Sequence, residues 1–253
     1  SWKNLLQQHP VSPKEIDCLI VCTQNPDGYG LPHTSAIIHD KLNFPLNCAV
    51  FDLSLGCSGY VYGLSVIKSF MEANNFRRGL LFTADPYSKV MNQEDKKTAT
   101  LFGDGATVTL LTDEPVFEFG QFVFGSDGSK KEGIVVREDG YVHMNGRAVF
   151  TFTVRIIPDS IREMLEKNSF VLENVNRFLL HQGSLHIVNS IADNLGVPRE
   201  RCPFYSAAYG NTVSSSVPML IAQEYANQEM QVAVLAGFGV GISWASTLIF
   251  RKN

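Results

Sequence analysis

Short runs of apolar residues alternate along the chain with segments in which apolar residues recur every three or four positions. The runs read as buried strands and the recurring segments as helices. Cys18 to Cys22, Ala49 to Leu55, Leu80 to Ala84, Thr107 to Leu111 and Arg177 to Leu180 are strand-like runs. Helical spacing covers about Thr34 to Leu42, then Tyr60, Leu64, Ile67, Phe70 and Met71, and the long segment Phe150 to Lys167. Between them, Val11 to Ile16 reads as a turn, Asn25 to Pro32 as a Gly/Pro-rich loop, and Pro86 to Thr100 as a polar stretch. Strands separated by helices predict an α/β protein.

The pattern occurs twice. Asp17 to Gln24 lies over Asn176 to Gly183, and Phe51-x4-Gly56-Cys57 over Tyr205-x4-Gly210-Asn211. Arg78 to Ala84 lies over Met230 to Ala236, and Phe102-Gly103-Asp104-Gly105 over Phe238-Gly239-Val240-Gly241. The order is kept, and the offset between copies falls by only a few residues until a drop of 16 before the last pair, which places an insertion around Pro86 to Leu101 in the first copy. The repeat divides the chain into halves 1–114 and 115–253. In register, Ser1 falls on Ser160, well inside the second half, whose strand-like residues begin near Phe117. The first half is therefore expected to lack roughly forty or more N-terminal residues.

Candidate chemistry sits at one turn. Cys57 lies between Gly56 and Gly59, where a strand gives way to a helix. Free amides at a helix start favour an anion and predict a lowered thiol pKa, hence a nucleophilic thiolate. Taken alone, Cys57 is more readily a small buried apolar residue at a tight turn. The repeat alters that reading, because the counterpart of Cys57 is Asn211 and the counterpart of Cys22, at a strand end, is His181. Singly, His181 reads as a structural strand-end histidine and Asn211 as a turn residue. Ligands of open α/β sheets gather at the carboxyl ends of strands. There a thiol, an imidazole and a carboxamide converging from two halves form a nucleophile with its stabilisers.

Composition limits the partners. At 45% hydrophobic and 18% charged, the chain is an ordinary soluble globular protein with a large core. A net charge of −4 gives no global attraction to nucleic acid or anionic membrane. The longest apolar runs are too short to span a bilayer, and no signal peptide is visible. The five cysteines are odd in number, mostly within apolar runs and without zinc spacing. They predict free thiols in a reducing cytoplasm and no metal site.

At these residues the sequence resembles the thiolase-fold condensing enzymes, most closely the β-ketoacyl-acyl carrier protein synthase III family. The resemblance rests on Asp52-Leu53-Ser54-Leu55-Gly56-Cys57-Ser58-Gly59, Phe102-Gly103-Asp104-Gly105-Ala106, Leu180-His181-Gln182, Tyr209-Gly210-Asn211-Thr212 and Gly237-Phe238-Gly239-Val240-Gly241, and it spans essentially the whole chain. It implies a five-layer αβαβα fold of two similar halves, the first lacking its N-terminal part, and a cytoplasmic homodimer. It also implies an acyltransferase that starts fatty-acid chains from acyl-CoA and malonyl-acyl carrier protein without a cofactor. The family's Cys-His-Asn site falls on Cys57, His181 and Asn211. A backbone oxyanion hole falls on the amides of Cys57 and Val240, where the family has a central glycine, and a valine there strains the loop if its φ is positive.

The resemblance further implies CoA- or carrier-binding roles for Lys96, Arg147, Phe150, Gly183, Ser184 and His186, with Arg155 a further basic candidate. Lys96 stands where the family has an arginine that contacts CoA. Gly183-Ser184-Leu185-His186 replaces the common Ala-Asn-Leu-Arg, whose arginine docks the carrier. Leu31 and Phe102 are expected at the acyl pocket, Leu31 by reaching across a dimer into the partner's site. A leucine there, rather than phenylalanine, predicts tolerance of longer or branched primers. The changed docking residues leave open a synthase of secondary metabolism with another acceptor. A non-catalytic subunit is the third reading, and one with no chemical need for the intact Cys57-His181-Asn211 set.

Overall fold

The computed structural model describes residues 1–252. In the first half the strands are β1 (Cys18–Cys22), β2 (Ala49–Leu53), β3 (Arg78–Ala84) and β4 (Ala106–Thr112). The helices there are α1 (Trp2–Gln8), α2 (Thr34–Lys41), α3 (Gly59–Asn74) and the single turn α4 (Lys96–Ala99). The strands form one sheet in the order β2-β1-β3-β4. β1 runs parallel to both neighbours, and β4 returns antiparallel to β3. All five residues of β1 are buried. A strand that reads as a continuous apolar run must be covered on both faces, and this one is.

The second half contributes β5 (Phe117–Phe119), β6 (Val123–Ser126), the hairpin strands β7 (Ile134–Val136) and β8 (Val142–Met144), β9 (Arg177–Leu180), β10 (Val232–Gly239) and β11 (Ser243–Arg251). Its helices are α5 (Gly146–Lys167), α6 (Leu185–Leu195) and α7 (Ser216–Glu224). Its main sheet has the order β5-β11-β10-β9, with β6 also paired to β11. α3 touches strands of both sheets, as does α7. α1 and α2 cover the outer face of the first sheet, while α5 and α6 cover that of the second. The result is five layers, α/β/α/β/α. The outer layer of the second half is held by Ile157, Ile161, Met164 and Leu165 of α5, which bury against Val188 and Ile191 of α6. Asn145 starts α5 four residues before the apolar spacing reveals it, its Oδ1 accepting the Ala148 amide at 3.1 Å.

The two halves are not identical. The repeat leads one to expect a strand before Asn211, as β2 precedes Cys57. Instead, the segment carries a short 3₁₀ turn, Ser206–Ala208, and a single bridge from Asn211 to Phe102. Pro203 has no amide to offer a ladder. The Gln182 side chain pins the segment in place of a ladder, donating to the Pro203 carbonyl at 3.2 Å and accepting from the Tyr205 amide at 2.9 Å. Conversely, β11 has β5 and β6 along its outer side, whereas β4 has no outer strand among the described residues. A cavity of about 950 Å³ runs along that free edge, bounded also by α3, α7 and α1.

Candidate active site

The turn between β2 and α3 is tight because its glycines face close neighbours. A Cβ on Gly56 would sit 2.5 Å from both Gln24 Oε1 and Val240 Cγ1. The end of β10 passes directly over the turn. A Cβ on Gly239 would lie 2.7 Å from both Cβ and Sγ of Cys57, and one on Gly237 would lie 2.8 Å from the Cys57 carbonyl oxygen. Only glycine permits this approach. It brings the Val240 amide to the Cys57 sulfur, which also receives its own amide. Val240 is not among the described residues with positive φ; Gly241 takes the left-handed geometry, at φ 122°. The strain foreseen for a valine at this position is therefore absent. Two buried serines fix the loop. Ser58 and Ser243 share a hydrogen bond of 2.7 Å, and Ser243 Oγ donates to the Val240 carbonyl at 3.2 Å.

The thiol itself is 4% exposed. Burial pushes its pKa up to about 12, overcoming the two amides that pull it down. The lowered value read from the helix start is thus overturned: α3 begins at Gly59, two positions on, and the sulfur lies in an apolar surround. At rest the group is a thiol.

His181 directly follows β9 and is 3% exposed. Burial pulls its pKa down to about 3, so the imidazole is neutral. Nδ1 lies 2.7 Å from Ser216 Oγ, and the Val213 carbonyl also faces the ring. Ser216 Oγ accepts from Nδ1–H in one tautomer and donates to bare Nδ1 in the other. Asn211 is held by its backbone to Leu101 and Gly103, at 2.8 and 3.0 Å. Its Oδ1 accepts the Val213 amide at 2.8 Å, which leaves the carboxamide N–H groups for a ligand. The turn is anchored to the first half by fully buried Asp85, which accepts from Ser214 Oγ at 2.5 Å and from the Gln24 amide at 2.6 Å.

Cys57, His181 and Asn211 line one cavity of about 340 Å³. Phe102, Arg147, Phe150, Gly183, Ser184 and His186 line it too. The Phe150 and His186 rings stack, with centroids 4.6 Å apart and planes 4° from parallel. Three expected residues do not reach the cavity within this chain. Lys96 is exposed on α4, Arg155 is exposed on α5, and Leu31 is 87% exposed on its loop. The cavity also contains residues that sequence reasoning passed over, among them Tyr87, Ile134, Met144, Val149 and Thr153. Ile134 and Met144 come from the β7–β8 hairpin, within a region whose sequence shows only turns. Among the described residues there is no group of three potential metal ligands, and no helix is long and apolar enough to cross a membrane.

Residues 51–128 match the family 3-oxoacyl-[acyl-carrier-protein (ACP)] synthase III, and residues 165–250 match its C-terminal part. A β-ketoacyl-[acyl-carrier-protein] synthase III from Streptococcus mutans is 32% identical over 266 residues, covering 98% of this chain and 81% of the relative. A 2.1 Å crystal structure of a 3-oxoacyl-(acyl-carrier-protein) synthase III superposes with a TM-score of 0.92 at 33% identity, covering 98% of this chain and 82% of the other. The Aquifex aeolicus VF5 synthase III also gives 0.92, at 28% identity, over 98% of this chain and 81% of its own.

Proposed function

The chain belongs to the 3-oxoacyl-[acyl-carrier-protein] synthase III family, a condensing enzyme of fatty-acid synthesis, and from that premise we propose how its own residues divide the reaction. The observation that carries the assignment is a single one: Cys57, His181 and Asn211 line the same cavity, with a backbone amide of the second half directed at the sulfur of the first.

In the first stage an acyl-CoA enters and neutral His181 takes the Cys57 proton through Nε2. The thiolate attacks the thioester carbonyl, a C–S bond to Cys57 forms, and the C–S bond to CoA breaks. The CoA thiolate leaves with the proton held by His181. The oxyanion formed on the way is met by the amides of Cys57 and Val240. In the second stage malonyl-acyl carrier protein binds. The bond from its carboxylate carbon to C2 breaks, CO2 departs, and the electron pair passes into an enolate. Between the stages His181, staying neutral, gives up its Nδ1 proton to solvent and takes one on Nε2; Nε2–H and the Asn211 amide then stabilise that oxygen, with Ser216 donating to bare Nδ1. One such donor is typically worth ~2.7–4 kcal/mol in a water-poor site. C2 then bonds to the acyl carbon, Cys57 is expelled as thiolate, and a solvent proton restores the thiol.

Arg147, Phe150, Gly183, Ser184 and His186 stand at the cavity where the pantetheine arm of CoA or of the carrier passes. The homodimer belongs to the same proposal. A second copy covers exposed Tyr29 and Leu31 and completes the acyl pocket from outside, and the protein works in the cytoplasm. Intact-mass spectrometry tests the assignment. Incubation with acyl-CoA is expected to add one acyl group at Cys57, and malonyl-acyl carrier protein to remove it as 3-oxoacyl product. Absence of an adduct at Cys57 with every acyl-CoA tried would reject the assignment.

A further inference from the structure

Apart from the Cys57, His181 and Asn211 groups, the cavity holds a buried phenol whose oxygen has no bond partner. Tyr87 follows Asp85-Pro86 in the insertion that only the first half carries, within a short 3₁₀ turn, Tyr87–Lys89. It is 5% exposed, and its ring lies 4.6 Å from that of Phe102. Around it the cavity wall is apolar: Leu101, Phe102, Ile134, Met144 and Val149. The other buried tyrosine hydroxyl, on Tyr60, is bonded to Thr109 Oγ1 at 3.1 Å. The Tyr87 hydroxyl has no hydrogen-bond partner among the described residues. Nor is it one of the sealed, unpartnered oxygens, which are those of Thr34, Ser160 and Ser246. Its oxygen therefore keeps some accessible surface, and the space Tyr87 borders is the cavity that holds Cys57.

A hydroxyl buried in an apolar wall is costly unless something accepts its proton. Burial holds the phenol protonated, so it is a donor. Apolar pockets select ligands by the few polar groups placed in their walls. We propose that Tyr87 is a specificity-determining residue and that the acyl group this enzyme loads carries an oxygen, as hydroxyl or carbonyl, on its chain beyond the thioester. Such an oxygen accepts from Tyr87, while the rest of the chain packs on Phe102 and Met144. A plain alkyl chain leaves the phenol unpaired and is loaded less well.

The inference rests on the acyl-enzyme reading above, and the test separates the two. The rate of Cys57 acylation is measured for matched pairs, butyryl-CoA against 3-hydroxybutyryl-CoA and pentanoyl-CoA against 4-hydroxypentanoyl-CoA, with wild type and Tyr87→Phe. The wild type is expected to favour a hydroxylated member by about tenfold in kcat/KM. Tyr87→Phe, which removes only the oxygen, is expected to abolish that preference. Wild type favouring the alkyl member of both pairs, or an unchanged ratio in Tyr87→Phe, would overturn the role of Tyr87 and leave the acyl-enzyme reading intact. No acylation of wild type by any of the four would overturn both. Should the variant not fold, the wild-type ratio alone decides.

Discussion

The turn that carries Cys57 and the turn that carries Asn211 occupy corresponding places in the repeat, yet they are built by different means. The first follows a real strand, β2, and hands over to a sixteen-residue helix. The second follows a segment that Gln182 holds by its side chain, and it is braced against the other half through Asp85 and Ser214. The sheets differ in a complementary way. Among the described residues, the first keeps its strand beyond β1 and has a free β4 edge, while the second lacks the counterpart of β2 and has β5 and β6 beyond β11. Duplication thus preserved the geometry around the cavity and let the periphery diverge. What distinguishes the turns chemically is what each presents: a thiol from the first half, carboxamide N–H groups from the second.

That division of labour predicts separable losses, and the largest is at the nucleophile. Cys57→Ala is expected to abolish acyl loading, because no other group in the cavity replaces the sulfur, yet to retain release of CO2 from malonyl-acyl carrier protein. Asn211→Ala is expected to do the reverse, with decarboxylation falling by about 10²–10³-fold, the usual effect of losing one oxyanion donor. Loading of Cys57 should change by only a few-fold. The two rates are read by labelled CO2 release and by intact mass. Equal losses of both activities in Asn211→Ala would break the comparison, since the second half would then be serving the first stage as well.

A smaller and purely thermodynamic effect separates the two halves by pH. His181 is held neutral at a pKa of about 3, below its unfolded value near 6.5. A group with a depressed folded pKa contributes stability that is present above the unfolded value and is lost as pH falls toward the folded one. The window is therefore about 6.5 down to 3, with a limiting slope of ~1.4 kcal/mol per pH unit. Cys57 behaves oppositely. Its folded pKa of about 12 lies above the unfolded one, so its contribution is intact in acid and is lost only as pH rises from ~8.5 toward 12. Urea titrations of wild type and His181→Gln should diverge between pH 3 and 6.5, the variant losing less stability on acidification. Parallel curves would mean that His181 is not buried neutral.

Much of this was legible in the sequence, for physical reasons. β1 and β9 coincide with their apolar runs because both lie inside the stack and need no polar face. The shared place of Cys57, His181 and Asn211 was legible because the repeat maps strand ends and turns onto each other. Burial was not legible. The start of α3 is visible in the spacing of its apolar residues, but the depth that raises the Cys57 pKa is a property of both halves together. The wall formed by Tyr87, Ile134 and Met144 was hidden for another reason. It comes from the unrepeated insertion and from three-residue strands too short to show a period. The missing strand before Asn211 was misread because a glutamine side chain can imitate a ladder that no backbone pattern announces.

The finest test of the comparison concerns how the second half's amide is kept on the first half's sulfur. Gly237 and Gly239 allow β10 to approach Cys57, but closeness alone does not aim the Val240 N–H. The Ser58–Ser243 bond and the Ser243 bond to the Val240 carbonyl tie the loop to the residue after the nucleophile. A net hydrogen bond is worth ~1 kcal/mol, which corresponds to about a fivefold rate effect. Ser243→Ala should therefore slow acyl loading by about fivefold and leave decarboxylation by His181 and Asn211 unchanged. Ser58→Ala should cost a similar amount, and the double variant little more than either, since both remove one chain of bonds. Additive losses in the double variant would show that the two serines act independently, and an equal slowing of decarboxylation would show that they merely stabilise the fold.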